Sequence, residues 1–452
     1  MKSLNLSKPN ILNLLVCLFP MTFIVGSLFV NLLIFLIIFS GILLYKNKLF
    51  SFDKNYLLIF ISSFFILLII STFLEEIKSD TNHLLKSILH LRYLLFLFVL
   101  RFMILNNLLN IKQFLLSCLV LSIFVAADVI FQYMVGVNII GFKPTPHNYP
   151  GIFRTEAISG GYIQRFLVLG LFALPLLFHK SQKKTLIFLT LSISIGFIGI
   201  IISGNRIPAI IFLFFIFLSF IFFSFKNLKF VHVISLIFIL SISGFILKNN
   251  EKINKKYQSF KPGVIELFQL LPQLKKNYPE LEKYKNTQKP FHETEGINNI
   301  EKYKMLPNFT GHTSLYITSI DIFRESPFMG RGIKSFRNAC KEFWHLPNRT
   351  CQTHPHNIFL EILNDTGIFG LGFLGITLTI LFIKNFNKYY RRYRGRIKNM
   401  NFLFYGVAFA LLLEFIPFRS HGSFFSTLTS SYIFLLIGIF FGLYDLNLKK
   451  TT

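Results

Sequence analysis

Apolar stretches long enough to cross a lipid bilayer recur almost from end to end of this chain, and they leave few other folds open to it. A transmembrane helix needs about 20 mostly apolar residues. Candidate helices run near 11–26, 27–45, 56–73, 84–103, 113–136, 161–178, 185–203, 207–224, 229–248, 366–385, 401–418 and 425–444, about twelve spans. A hydrophobic share of 53% and a mean hydropathy of +0.57 exclude a water-soluble fold. The expected class is therefore an all-α integral membrane protein with one large polar loop. Residues 1–248 hold spans one to nine, 249–355 the loop region, and 356–452 spans ten to twelve with a tail. The first span follows Lys2 and Lys8 as a signal sequence would, but it has no small-residue cleavage site and runs straight into the next. It reads as an uncleaved helix, and the first two spans are either separate crossings or one re-entrant pair.

A net charge of +27 raises the question of nucleic acid. The cations sit in short runs between apolar segments rather than on one face, so they set topology and imply no nucleic-acid partner. With both termini cytoplasmic, the inside loops carry Lys46, Lys48 and Lys54, then Arg101 and Lys112, Lys180, Lys183 and Lys184, Lys226 and Lys229, and the dense run from Lys384 to Lys398. The short outside loops hold Glu75, Glu76 and Asp80, or isolated Arg residues. This asymmetry places the long loop in the periplasm and the chain in a bacterial inner membrane. Its first half, Lys252 to Lys304, reads as polar surface helices, and its second half as an amphipathic helix followed by a Pro/Gly turn.

Of four cysteines, Cys17 and Cys118 fall in apolar spans, whereas Cys340 and Cys351 lie close together in the loop. In an oxidising compartment that second pair either forms a bridge, worth roughly 3 kcal/mol in the chain-entropy model, or stays as two free thiols.

Polar groups near the outer surface are the informative ones, because placing them there is unfavourable unless they have a partner or a task. Arg154 and Glu156 precede span six, Arg165 lies a turn inside it, and Arg206 forms the hairpin Gly204-Asn205-Arg206. Lys86 and Arg92 enter from span four, Asp128 and Gln132 lie near the end of span five, and Arg419 and His421 occupy the last outer loop. Each has a plain structural reading: Arg206 as a snorkelling end residue, Arg165 and Asp128 as an ion pair, Arg419 as a lone interfacial charge. An Arg in an outer hairpin runs against the positive-inside trend and suits an anion such as phosphate, whose oxygens its planar donors bind in pairs.

The densest constellation is THPHNIFLEILNDTGIFG, Thr353 to Gly370. In a helix starting at His356, Asn357, Glu361, Asn364 and Asp365 share one face, with Ile358, Phe359, Ile362 and Leu363 opposite. Such a stripe cannot face lipid. Either it lines a wet cavity, or 356–366 form a short surface helix that bends at Gly367 before spanning; the second fits better, since 368–385 still roughly spans the hydrocarbon. His354 and His356 flank Pro355, which keeps them extended, and no HExxH motif or cysteine set accompanies them, so a metal site is disfavoured. An imidazole that titrates near neutrality is better suited to taking a proton from a sugar hydroxyl, with Glu361 or another carboxylate to orient it.

The stretch HPHNIFLEILNDTGIFGLGFL resembles the His-x-His-Asn, Leu, acidic, Gly, Gly-Leu pattern of the O-antigen ligase/polymerase superfamily of bacterial envelope glycosyltransferases. AADVIFQYMVGVNIIG with Asp128 and Gln132, GIFRTEAISGGYIQRF with Arg154, SGNRIP with Arg206 and FRESPFMGRGIKSF with Pro327, Gly330 and Gly332 follow in the same order. The hairpin reads Asn205-Arg206-Ile207 where the family often has Ser-Arg-Gly. The resemblance implies a C-type glycosyltransferase-like bundle that moves a glycan from an undecaprenyl-diphosphate donor to lipid A-core or another glycan acceptor, by inversion, without metal or other cofactor. It makes His356 the base and sets Arg206, with Arg154 or Arg165, against the diphosphate; His354, Asn357 and Glu361 join the substrate-binding set. Membrane lipid is the remaining partner.

Within that resemblance, the length of the loop and the His-x-His-Asn stretch favour an O-antigen ligase over a polymerase that extends the lipid-linked chain. A transporter of lipid-linked sugars is the reading from another class. It calls for polar pathways opening to both sides, whereas here the polar residues crowd the outer end.

Overall fold

The apolar runs fold as helices because every backbone N–H and C=O in lipid must find its partner within the chain. The computed structural model describes residues 8–50, 56–79, 83–154, 158–222, 226–258, 265, 312–343, 349–393, 401–417 and 419–449. Among these there are no strands. The helices in chain order are α1 (Lys8–Cys17), α2 (Phe19–Val25), α3 (Ser27–Tyr45), α4 (Tyr56–Ser79), α5 (Leu84–His90), α6 (Arg92–Leu105), α7 (Ile111–Val135), α8 (Ser159–Gly170), α9 (Ala173–Leu177), α10 (Gln182–Ser203), α11 (Arg206–Phe222), α12 (Lys226–Asn249), α13 (Glu251–Gln258), α14 (His312–Glu325), α15 (Phe336–Ala339), α16 (Ile358–Tyr393), α17 (Phe402–Glu414) and α18 (Thr427–Lys449).

Eight segments among the described residues are long and apolar enough to cross a membrane, joined by shorter apolar helices at Arg206–Ser219, Leu236–Asn249 and Phe402–Glu414. The chain is a multi-pass membrane protein. The first expected span departs from this pattern: α1 and α2 part at Leu18, with Pro20 opening α2 and Gly26 closing it at φ 130°. Pieces of 10 and 7 residues reach only about half of a hydrocarbon core or less at about 1.5 Å per residue. The polar surface helices expected over 252–304 are described only as far as α13; the rest lies outside the described residues.

Sequence-local caps set several helix starts. Asn110, Ser181 and Asn401 each accept a hydrogen bond from the backbone N–H three residues on. Between helices, small residues let backbones approach, as lipid-embedded packing requires. A Cβ on Gly170 would come 2.5 Å from the Leu119 Cα, and one on Gly442 the same distance from the Ile104 Cβ. Arg101, grouped with the inside charges in the sequence, is instead buried against Asp445 of α18.

The bend expected at Gly367 is present: its φ of 63° and ψ of −166° interrupt α16. A side chain there would collide with the Phe328 carbonyl. The N–H groups freed by the break do not go unmet, since Ile368 donates to the Pro327 carbonyl (2.8 Å) and Phe369 to that of Phe328 (3.4 Å). The helix before the bend is buried rather than on the surface, because three segments cover its polar stripe. Glu361 accepts from the Ser423 hydroxyl and the Phe424 N–H (both 2.5 Å), and Asn364 donates to the Ser319 hydroxyl (2.7 Å). Asp365 accepts from the Lys334 N–H (2.6 Å), the Ser335 N–H (3.1 Å) and the Ser335 hydroxyl (2.7 Å). The stripe is thus a set of docking points. It holds α14, the 331–335 turn and the 419–426 loop around one end of the bundle.

The same turn is fastened to α4. Gly332 and Ile333 donate to the Ser71 and Thr72 hydroxyls (3.0 and 2.9 Å), and the Arg331 guanidinium bridges Glu75 and Glu342. Cys340 and Cys351 form a disulfide that closes the segment between α15 and α16, with Cα atoms 5.2 Å apart.

Candidate active site

A cavity of about 600 Å³ opens at this end of the bundle. Its walls come from the starts of α8, α11 and α18, from α13 and α14, and from the segments before α16 and after α17. Four cations line it, Arg165, Arg206, Lys256 and Arg419, and among the described residues no carboxylate does.

Arg206 owes its place to the preceding turn. Gly204 at φ 75° ends α10, and the Asn205 carboxamide accepts from the Gly160 N–H (2.9 Å) and the Ser203 hydroxyl (3.0 Å), tying the turn to α8. A side chain on Gly160 would meet the Ser203 oxygen at 2.6 Å. Asn205 therefore does specific work in this hairpin, since its carboxamide spans to α8. Arg206 opens α11, where unsatisfied N–H groups and the helix dipole favour an anion. Its Nη1 donates to the Lys256 carbonyl (3.2 Å) at the end of α13. Lys256 reaches the Asn148 side chain, so α13 is pinned both to the hairpin and to the 145–150 loop. Burial and the neighbouring Arg206 charge lower the Lys256 pKa, the signature of two like charges held together.

Arg165 and Arg419 share one carboxylate. Arg165 places Nε and Nη2 on Glu414 (3.0 and 2.9 Å), and Arg419 places Nη1 on the same side chain (2.8 Å) and on the Leu413 carbonyl (2.8 Å). Arg419 also donates to Gln164 (3.1 Å). Glu414 is 1% exposed, which makes this a buried ionic triad with a net charge of one. The pairing of Arg165 with Asp128 does not occur: Asp128 accepts from the Ile139 N–H (3.0 Å), and Arg165 turns the other way, to Glu414.

His356 sits just before α16 with a left-handed φ of 57°, an uncommon conformation for a residue with a side chain. His421 holds it from both sides. The His421 N–H donates to the His356 carbonyl (2.9 Å), and the His421 carbonyl lies 3.2 Å from His356 Nδ1. A carbonyl only accepts, so Nδ1 carries the proton and Nε2 keeps its lone pair. The Gln352 carboxamide oxygen lies 3.0 Å from Nε2, and the amide has to turn over to present its NH2 group to that lone pair. Two more imidazoles pack on the ring, His312 at 4.7 Å and His354 at 4.1 Å between centroids. Burial lowers the pKa of all three, that of His354 to about 4 with the neighbouring His356 adding to the effect.

Residues 189–375 match the family model for O-antigen ligase, a segment that contains Arg206, Lys256, His312 and His356. The chain carries an O-antigen ligase family domain. It is a multi-pass membrane enzyme of that family. A search of curated proteins finds no match to the chain.

Of the residues singled out in this O-antigen ligase family enzyme from sequence, His356, Arg206 and Arg165 line the cavity together. Arg154 does not: it is exposed, with its guanidinium 4.8 Å over the Phe142 ring. Glu361 does not orient His356, because its oxygens are taken by Ser423 and Phe424 and the His421 carbonyl does that work. Asn357 serves α16, accepting from the Phe359 and Leu360 N–H groups (3.0 and 3.2 Å) and donating to the Pro417 carbonyl (2.6 Å). His354 stacks on His356 without lining the cavity. No cluster of metal-ligating side chains occurs among the described residues.

Sequence reading passed over Glu414, His312 and Lys256. Glu414 carried a signal of its own, a carboxylate at the end of an otherwise apolar span. His312 and Lys256 had none, since a His before an amphipathic helix and a Lys in a Lys-rich loop look ordinary.

Proposed function

We propose that this enzyme is an O-antigen ligase, moving a polysaccharide from undecaprenyl diphosphate to a hydroxyl of lipid A-core on the periplasmic face. The observation that carries the reading is the cavity itself, where His356, its Nδ1 held by the His421 carbonyl, lines the same space as Arg206 and Lys256 with no lining carboxylate among the described residues. His356 Nε2 takes the proton of the acceptor hydroxyl as its oxygen attacks the anomeric carbon. The bond to the diphosphate breaks on the opposite side, which inverts the configuration. Arg206, the N-terminus of α11 and Lys256 take up the charge that develops on the leaving diphosphate. Preorganised donors of this kind supply several kcal/mol in a poorly hydrated site.

The triad around Glu414 supports the floor of the cavity and gives a ligand one further net positive charge. Arg206, rather than Arg154 or Arg165, is the main diphosphate ligand in this reading, because Arg165 is already matched to Glu414 and Arg154 lies away from the cavity.

Size-resolved envelope lipopolysaccharide from a strain lacking the protein tests the assignment. The expected result is long undecaprenyl-linked chains with no attachment to lipid A. Lipid A-core carrying a single repeat would instead make the protein a polymerase, and unchanged lipopolysaccharide would overturn both.

A further inference from the structure

The reactive nitrogen of His356 has a partner that stands outside the cavity. The Gln352 carboxamide oxygen lies 3.0 Å from His356 Nε2, yet Gln352 is exposed and does not line the cavity. The main chain is fixed at both ends of this contact. Thr350 exchanges hydrogen bonds with the Thr318 hydroxyl of α14 (3.1 and 3.2 Å), and Cys351 is bridged to Cys340, so the residues just before Gln352 are anchored. His356 is anchored by the His421 main chain. Between the two anchors the part free to move is the Gln352 side chain, whose carboxamide has no second partner among the described residues.

A primary amide can serve either charge state of an imidazole. Its oxygen accepts from the Nε2–H of an imidazolium, and, turned over, its NH2 group donates to the lone pair of the neutral ring. An attacking hydroxyl must come within about 2.6–3.2 Å of Nε2 to lose its proton there. The carboxamide already fills that place, so hydroxyl and amide exclude one another. The same exclusion applies to water, which competes with any acceptor for the donor. A sugar held by its other contacts brings binding energy to displace the amide; water brings none.

We propose that Gln352 is a specificity-determining residue of the transfer, covering Nε2 of His356 against water and yielding it to the hydroxyl of a bound acceptor sugar. The proposal rests on the glycan-transfer reading with His356 as base, and adds to it what keeps that base from hydrolysing the donor. Without Gln352, the uncovered Nε2 takes a proton from water as the water oxygen bonds to the anomeric carbon. The bond from that carbon to the diphosphate breaks, leaving free glycan and undecaprenyl diphosphate, and the proton passes from Nε2 to solvent.

The test uses the full-length protein in phosphatidylcholine nanodiscs with an undecaprenyl-diphosphate-linked glycan, assayed alone for free glycan and with lipid A-core for transfer. Gln352→Ala is expected to raise the ratio of hydrolysis to transfer about tenfold, the effect of losing one hydrogen bond at Nε2. Adding His356→Ala should abolish that hydrolysis. Gln352→Glu keeps the contact but sets a carboxylate beside the ring. The other imidazoles around it, His312 of α14, His354 of its own segment and His421 of the loop after α17, have pKa values lowered by burial. The acid limb of transfer should therefore move up by about one pH unit in Gln352→Glu, with activity recovered above it. A purely structural role would reduce transfer and hydrolysis together and leave that limb in place. This result overturns the proposal, as does an unchanged ratio in Gln352→Ala or hydrolysis that survives the loss of His356. Wild-type extension of the lipid-linked glycan without transfer to lipid A-core would replace the ligase reading by a polymerase, and the ratio of hydrolysis to extension then judges Gln352.

Discussion

The carbonyl oxygen of His421 lies 3.2 Å from Nδ1 of His356, and the His421 N–H returns a 2.9 Å hydrogen bond to the His356 carbonyl. A residue from the last inter-helix loop thereby fixes the tautomer of a residue 65 positions earlier in the chain. The partner is main chain, so the arrangement survives any change of the residue 421 side chain that preserves the loop. What it does not survive is loss of the imidazole itself. His356→Ala is expected to lower transfer by about 10²- to 10⁴-fold, the range for removing a positioned general base. Expression and thermal unfolding should stay near wild type. An in vitro transfer assay with purified donor checks this, and a variant retaining most activity would remove His356 from the chemistry.

The second expectation concerns pH. Burial lowers the His356 pKa, so the neutral, proton-accepting form prevails at and above the ordinary imidazole value of 6.5. The transfer rate should be flat from neutral pH upward and fall on acidification with a midpoint below 6.5. Stability follows the same direction. His312, His354 and His356 all have lowered pKa values in the folded protein, so the unfolded chain binds more protons once the pH drops below 6.5. Their contribution is complete above 6.5 and is lost as pH falls toward the folded values, about 4 for His354. Unfolding followed across this interval should show declining stability. Replacing His354 with Phe should flatten the decline, because it removes the group with the widest interval.

Arg206→Ala is expected to reduce the rate by about 10²- to 10³-fold, as for loss of a main oxyanion donor. Lys256→Ala should have a smaller effect, because α13 still gives Arg206 its backbone carbonyl. Arg154→Ala should leave activity unchanged, since the side chain lies over Phe142 and away from the cavity. Donor-concentration series on the three variants check the ranking, and an Arg154 effect equal to that of Arg206 would contradict it.

How far the sequence reaches can be judged from single residues. Hydropathy locates the spans, and Gly367 in a polar stretch marks the bend, because both signals are local. Arg206 was legible because a cation in an outer hairpin is anomalous by position alone. Glu361 and Asn357 read as substrate ligands in the sequence, whereas in the structure both meet protein partners and neither lines the cavity. Their polarity is as real as that of His356, but it is spent on Ser423, Phe424 and Pro417, and nothing in a linear pattern tells a docking stripe from a binding face. The Arg165 partner was missed for a related reason. Asp128 and Glu414 are both carboxylates near the ends of apolar helices, and only the packing of α17 against α8 decides between them.

That triad yields the last expectation. Glu414 is enclosed, and it neutralises two guanidinium groups that are themselves largely withdrawn from water. Removing the shared carboxylate leaves both positive charges facing each other in a poorly solvated site. Removing one Arg leaves the carboxylate with the other. Breaking a buried pair by deleting one partner typically costs about 3–5 kcal/mol, and the asymmetry here places Glu414→Gln at or above that range and Arg165→Met well below it. Thermal unfolding in detergent should therefore rank wild type, then Arg165→Met, then Glu414→Gln. Because Gln164 and the Leu413 carbonyl continue to hold Arg419, the Arg165 variant should also keep measurable transfer. If Glu414→Gln unfolds at the wild-type temperature, the two guanidinium groups are stabilised by something other than this carboxylate, and the account of the cavity floor fails.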